Sequence, residues 1–323
     1  MIISDLFKKG AEMIGALIVT FNPDLDVLLR NIQAIRQQVN RVLIVDNGSK
    51  NINEIRNMIT QNNLSKLELV TLGTNRGIAY ALNVGMNTFS TQKFEWVMTL
   101  DQDSIVASDT INKLKKTDEF TKSMTAILAP EFIDREQELL VSSHKNNENS
   151  SAAISVTERD DVITSGSLTS VSAWQMVRGF DDQLFIDMVD YDFNQRLLGL
   201  GYKIYQVQGV YFEHSLGEAV AKTILQKFLF IKNPADHSAM RTYYGYRNRI
   251  IFIKRYQKFK TIKILKLLLS LRYTLIFTDT GKKLKYALKG YKDGMTYSEK
   301  RDDYFKQYLK LMKKERSENN SDL

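Results

Sequence analysis

The first hundred residues alternate short apolar runs with amphipathic stretches, and nothing else in the chain limits the fold as much. Ile14–Thr20 (IGALIVT) reads as a buried strand ending at Phe21-Asn22-Pro23. Asp24 is placed to cap a helix running to about Gln38, with Leu25, Leu28, Leu29, Ile32 and Ile35 on one face. Arg41–Asp46 (RVLIVD) predicts a second strand that ends in the turn Asn47-Gly48-Ser49. A helix near Ile52–Gln61 and a strand over Leu67–Thr71 come next. After a turn at Gly73–Gly77, a helix over Ile78–Phe89 leads to a strand over Trp96–Leu100, which runs into Asp101-Gln102-Asp103. Strands alternating with helices of this length imply right-handed βαβ units, a parallel sheet and an α/β fold.

Ligands of such sheets bind outside the carboxyl ends of the strands. Asn22, Asp46, Asn75 and Asp101 each lie just past a predicted strand. Any one of them reads as an Asx turn or a helix cap, but four at one edge exceed what turn chemistry requires. Asp101-Gln102-Asp103 suits an ordinary turn, and equally a hard divalent cation, Mg²⁺ or Mn²⁺, bridged to a diphosphate. Further on, residues 142–160 read as a polar loop, Asp161–Ser165 as a strand leading to Gly166-Ser167, and Ser172–Arg178 as a helix. Asp187, Asp190 and Asp192 open an amphipathic helix from about Asp190 to Leu200, stopped by Gly201 before a strand over Lys203–Val207. Acids in a first helical turn satisfy the helix dipole; the other reading makes Asp190 the base for an acceptor hydroxyl. His214, in the strand-end sequence YFEHS, is either a lone polar residue or a metal ligand.

Composition removes several chemistries. Among 323 residues there is no Cys and only three His, so thiolate metal sites and cysteine nucleophiles are excluded and a multi-histidine site nearly so. No GxGxxG, GxxxxGK[ST] or GxSxG is present, so any diphosphate is neutralised by metal and cations and not by a glycine cradle. The net charge of +8 hides a split. Residues 1–220 hold 20 Lys and Arg against 28 Asp and Glu, whereas 221–323 hold 25 against 9. The cationic last third, helical in pattern with Lys and Arg among Leu, Ile, Phe and Tyr, suits an anionic membrane surface or nucleic acid. Its alternative is a helical extension that packs on the rest of the protein or forms an oligomer. The N-terminus lacks the pattern of a signal peptide, and both an amphipathic lead-in and a start at Met13 stay open. Ile262–Phe277, the most apolar later stretch, is interrupted by Lys263, Lys266 and Arg272 and is too short to span a bilayer. The expected location is therefore the cytoplasm, with peripheral association to the inner face of the cell membrane.

Taken together, the ordered motifs resemble family 2 of the glycosyltransferases, inverting enzymes with a GT-A fold, and are most similar to bacterial rhamnosyltransferases of polysaccharide assembly. The resemblance runs from about Ile14 to Gly294. Val19–Pro23 (VTFNP), with Thr20 and Asn22, resembles the first nucleotide-contacting turn, and Val45–Ser49 (VDNGS) the second, where Asp46 meets the base or ribose. Asn75–Gly85 (NRGIAYALNVG) matches the N-x-G-x-A-x-A-x-N pattern through Asn75, Gly77 and Asn83. Asp101-Gln102-Asp103 matches the D-x-D, whose first acid faces the ribose and whose last holds the metal. FIDMVDYDFNQRL resembles the block usually ending in Glu-Asp; Val189 replaces the Glu and leaves Asp190 as the base. His214 lies where such enzymes often have a metal-binding His. Arg241–Asn248 (RTYYGYRN) and Gly290–Met295 (GYKDGM) resemble the RxYYxxRN and GxxDG segments beyond the catalytic domain.

The resemblance implies a lead-in at 1–12 and a catalytic domain at 13–220, with a nucleotide-sugar half to about 104 and an acceptor half at about 105–220. A basic helical region at 221–323 completes the chain. Ser165, Gly166, Trp174 and Asp187 are the expected acceptor-side residues. Arg247 is a candidate second cation for the phosphates, or else a lipid-headgroup or structural contact. The implied reaction moves a sugar, best L-rhamnose from dTDP-rhamnose, to a hydroxyl of a lipid-linked saccharide; a UDP-hexose donor is the alternative, and dimerisation is open. A nucleic-acid-binding reading leaves the acidic strand-end residues unexplained and lacks a known signature. A nucleotidyltransferase would carry a Gly-rich basic loop where Phe21-Asn22-Pro23 stands.

Overall fold

A computed structural model describes residues 12–64, 66–134, 154–214, 237–271 and 279–321. Nearly all of the lead-in, residues 142–153 of the expected loop and residues 272–277 of the apolar stretch lie outside the described residues. Within them the chain forms two compact units. The first comprises residues up to Arg76, Ala81–Gly179 and Gly201–His214; the second comprises Gly77–Tyr80, Phe180–Leu200 and residues from Ser215 onward.

The first unit is a mixed, mostly parallel sheet of nine strands among the described residues. Strands β1 (Ile14–Thr20), β2 (Arg41–Asp46), β3 (Leu67–Thr71) and β4 (Trp96–Asp101) alternate with helices α1 (Leu25–Ile35), α2 (Ile52–Gln61) and α3 (Ile78–Thr91). The remaining strands are β5 (Ile105–Val106), β6 (Thr125–Asp134), β7 (Ser155–Glu158), β8 (Leu168–Ser170) and β9 (Lys203–His214); short helices α4 (Thr110–Lys115) and α5 (Val171–Met176) lie between. The order is β3-β2-β1-β4-β8-β6-β9-β5, with β7 on β9. β1 pairs in parallel with β2 and β4, and β8 joins antiparallel on β4.

Every residue of β1 is buried, as a central parallel strand covered on both faces requires. Ile14, Ala16 and Ile18 face a core shared with Leu28, Ile32 and Ile35 of α1 and Ile55 and Met58 of α2. Gly15 and Leu17 face the other way, against Phe89 and Gly85 of α3. Asp24 caps α1 as expected, its carboxylate accepting from the amides of Asp26 and Val27, both at 3.0 Å.

Three expectations need correction. Asp161–Ser165 is not a strand, and residues 155–158 of the expected polar loop are one: β7, antiparallel to β9. Its ladder is made by backbone groups, so exposed polar side chains such as Ser155, Thr157 and Glu158 hide it from any reading of hydrophobic periodicity. β9 also runs to His214, well past Val207, because it pairs with β6, β7 and β5 in turn.

The second unit holds α6 (Val189–Gly199), α7 (Ala239–Tyr256), α8 (Lys260–Leu269), α9 (Thr280–Thr296) and α10 (Asp303–Ser321). The helix expected to carry the base thus groups with the basic C-terminal helices. Gly290 is where α9 meets α7: a Cβ there would lie 2.2 Å from the Tyr243 carbonyl oxygen. Asp293 accepts a 2.8 Å hydrogen bond from the Tyr243 hydroxyl one turn on. Both features explain the GxxDG segment as packing. Among the described residues no helix is long and apolar enough to cross a membrane.

Candidate active site

In the first unit the turns after β1, β2 and β3 are stitched together by short polar side chains. Asp46 is 1% exposed and accepts from the Thr20 hydroxyl at 3.0 Å with one oxygen. Its other oxygen accepts from the amides of Gly48 and Ser49 at 3.1 and 3.0 Å. Asn22 sits in the left-handed region, φ 49°; its amide donates to the Ser49 hydroxyl and its Oδ1 accepts from the Lys50 amide, both at 2.8 Å. The Asn47 side chain donates to Asn75 Oδ1 at 3.1 Å and accepts from the Arg76 amide at 2.9 Å. Thr20, Asn22, Asp46 and Asn75 are therefore brought to one edge, as expected. Asn47 and Ser49, which sequence reasoning treated only as turn residues, are the links between them.

The D-x-D turn is fixed from three sides. The Asp101 carbonyl accepts from Nδ2 of the fully buried Asn31 at 2.7 Å, and its amide donates to Ser165 Oγ at 2.9 Å. Gln102 Oε1 accepts from the Phe21 amide at 2.8 Å, tying this turn to the one after β1. Ser165 and Ser104 share a 2.7 Å hydroxyl contact. Ser165 thus shapes the acidic turn; Gly166 beside it donates its amide to the Thr99 carbonyl at 2.7 Å. Trp174 is buried, and its indole N–H donates to Asn83 Oδ1 at 3.3 Å, so these two expected site residues pair with each other.

Asp101 and Asp103 are half-buried, and among the described residues no group of three or more Asp, Glu, His or Cys converges. The donor set on view is two carboxylates, hard oxygen ligands of the kind Mg²⁺ and Mn²⁺ take, with most positions left for water or a ligand's oxygens. His214 has its backbone at the end of β9, and its side chain lies outside the described residues. The register gives its backbone position only: Ile105, two residues after Asp103, pairs with Glu213, the residue before it.

In the second unit the expected base stands behind an unusual loop. Phe185, Asp187 and Met188 all have positive φ, at 64°, 64° and 65°, and Met188 leads directly into α6. Asp190 lies half-buried in the first turn of α6, its Oδ1 accepting from the Tyr191 amide at 2.9 Å. Asp187 meets Arg241 Nε at 3.2 Å. Arg247 takes the structural contact: its Nη2 donates to the Gln183 carbonyl, its Nε to Asn248 Oδ1 at 2.9 Å, and the guanidinium lies over the Tyr244 ring.

Asp192 is separated from Asp190 by its surroundings. It is fully buried, bound by Arg196 at 2.8 Å, Arg255 at 2.6 Å and the Tyr256 hydroxyl at 2.7 Å. Burial alone would raise its carboxyl, but Arg196 and Arg255 hold it below the ordinary value. Arg255 also grips Asp181 at 2.7 Å and Asp302. Burial pushes the Asp181 carboxyl up despite Arg255.

Polar side chains gathered at the carboxyl ends of parallel strands define an α/β protein with a candidate ligand-binding edge. The sequence profile of Glycosyl transferase family 2 matches residues 16–177. A dTDP-rhamnosyl transferase RfbF of Shigella flexneri is 29% identical over 287 residues, covering 85% of this chain and 92% of that one. Among solved structures, mannosyltransferase PcManGT from Pyrobaculum calidifontis, in complex with GDP-Man and Mn²⁺, has a TM-score of 0.53 at 14% identity, covering 94% of this chain and 86% of that one. GalNAc-T7 with UDP, GalNAc and Mn²⁺ has a TM-score of 0.57 at 12% identity; 94% of this chain is covered, and the chain spans 57% of that structure. At such identities the structures speak for the fold. The chain belongs to glycosyltransferase family 2, with a GT-A α/β fold, and is a glycosyltransferase of nucleotide sugars that resembles rhamnosyltransferases.

Proposed function

We propose that the chain is an inverting rhamnosyltransferase that moves L-rhamnose from dTDP-rhamnose to a hydroxyl of a lipid-linked saccharide in cell-surface polysaccharide synthesis. The observation that carries this reading is the dTDP-rhamnosyl transferase relative, matched over 92% of its own length. Thr20, Asn22, Asp46 and Asn75 form the nucleotide edge, Asp101 faces the ribose, and Gly77 and Asn83 support the turn and helix after β3. Asp190 removes the proton of the acceptor hydroxyl, and Asp187 lies on the acceptor side. Asp103, with His214 delivered by β9, would hold Mg²⁺ or Mn²⁺. Such an ion supplies charge neutralisation for the departing diphosphate.

A peripheral position on the inner face of the cell membrane fits α8. It exposes Ile262, Leu265 and Leu269 beside Lys263 and Lys266, the arrangement of a helix lying in an anionic interface. Absence of flotation with anionic liposomes at low salt would remove this part. The test of the whole is a panel of dTDP-rhamnose, UDP-glucose, UDP-galactose and UDP-GlcNAc, assayed with Mg²⁺ or Mn²⁺ and then with chelator. Turnover of dTDP-rhamnose alone, lost with chelator, is expected. Preference for a UDP-hexose overturns the sugar, and indifference to chelator overturns the metal.

A further inference from the structure

Five consecutive backbone carbonyls ahead of the proposed base are held by named donors. The Gln183 carbonyl accepts from Arg247 Nη2, and the Phe185 carbonyl accepts from the Ile78 amide at 2.7 Å. The other three, of Leu184, Ile186 and Asp187, share the two N–H groups of Asn248 Nδ2, at 2.6, 2.7 and 3.0 Å. Arg247 Nε donates to Asn248 Oδ1, which fixes the amide with its nitrogen toward the loop. Asn248 has no solvent exposure, so removing its side chain takes this donor away inside the packed interior.

The same face of α7 supplies the other contacts. Arg241, Tyr244 and Asn248 recur at helical spacing and form one stripe. Arg241 binds the Asp187 carboxylate, and the Tyr244 ring stacks on Phe185 at 4.6 Å with 9° between planes. Gly77, at φ 88°, closes the loop from the opposite side, where a Cβ would lie 2.6 Å from the Phe185 carbonyl oxygen. Such restraint is needed because three of the four residues from Phe185 to Met188 are left-handed yet carry a Cβ. A loop free to relax would leave that path, and Val189 and Asp190 follow it without a side-chain cap to hold the helix start.

We propose that Asn248 is a positioning residue for transfer: by holding Leu184, Ile186 and Asp187 it sets where the first turn of α6 presents Asp190. The RTYYGYRN segment is then a cradle for the catalytic loop. The inference rests on Asp190 as the base. The rest of α6 is anchored independently through Asp192, Arg196 and Arg255, so the loop can loosen while the unit stays folded.

The experiment compares Asn248→Ala, Met188→Gly and the double variant, reading transfer from dTDP-rhamnose in the presence of acceptor-bearing membranes, dTDP-rhamnose affinity by calorimetry, and amide exchange along the chain. Asn248→Ala is expected to lower kcat about a hundredfold with donor affinity unchanged. Faster exchange should be confined to residues 183–191. Met188→Gly, which accepts the left-handed backbone without strain, should return about fivefold of the lost rate in the double variant. Near-normal turnover of Asn248→Ala, faster exchange throughout the chain, or absence of rescue overturns the proposal. Asp190→Asn is measured in parallel. If it turns over normally, the base assignment fails, while exchange at 183–191 still reports whether Asn248 holds the loop.

Discussion

Strand β1 is buried along all seven residues, and not one of them carries a charge. Helix α6 is as inaccessible at Asp192 and Arg196, whose side chains are 2% and 0% exposed, and there the burial is ionic. The first unit sets its proposed donor edge on a core rich in Ile, Leu, Val and Met packed against the sheet. The second sets its proposed base on a helix bolted by Arg255 to Asp181, Asp192 and Asp302. Apolar packing is non-directional and tolerates small changes of volume. A buried ion cluster holds one geometry, and it fails when a single partner is taken away, because the others are left charged and dry. A nucleotide edge made of backbone turns can rest on the first kind of support. A proton-transfer group whose reach must be correct to a fraction of an ångström gains from the second.

The largest expected effect breaks the second unit at its centre. Arg255→Met leaves three carboxylates without their shared cation and should cost about 3–5 kcal/mol in guanidinium chloride unfolding. A loss below ~1 kcal/mol would show that the ionic clamp is dispensable and the contrast between units false. Acid sharpens the same point. Asp192 and Asp302 sit below the ordinary aspartate value of 3.8, held there by the guanidiniums against burial. Their contribution is complete above that value and is lost as pH falls through their lower folded values. Asp181, raised by burial, acts in the opposite sense and softens the slope. Stability followed by circular dichroism should therefore fall on acidification below 3.8, and less so in Arg255→Met. The smallest effect belongs to the first unit: Ile32→Val should cost about 0.5–1.5 kcal/mol, the same at neutral pH and at pH about 4. A pH-dependent cost there would mean that the apolar core is coupled to charge.

The regions differ as much in how they could be read from sequence. From Ile14 to Asp101 the strands and helices follow local periodicity. The Asp24 cap, the α2 bounds and the gathering of Asn22, Asp46 and Asn75 at one edge all follow from patterns within a few residues. Past Asp101 the sheet turns mixed and pairing becomes non-local: β8 inserts beside β4, and β7 joins β9 through polar side chains that give no period-two signal. Asp192 looked like another acid of a helical first turn. Its partner Arg255 lies 63 residues on, among lysines and arginines that read as a surface. Asn248 carried no signal beyond its motif, since its role depends on a loop more than 60 residues earlier.

In the proposed mechanism the first unit holds the donor and Asp190 of the second takes the acceptor proton. The direct test is Asp190→Asn, with dTDP-rhamnose affinity measured by calorimetry and transfer measured on the same preparation. The expected result is unchanged donor affinity with transfer lowered about a thousandfold or more. Near-normal transfer by the variant, or loss of donor affinity in step with loss of transfer, would contradict it.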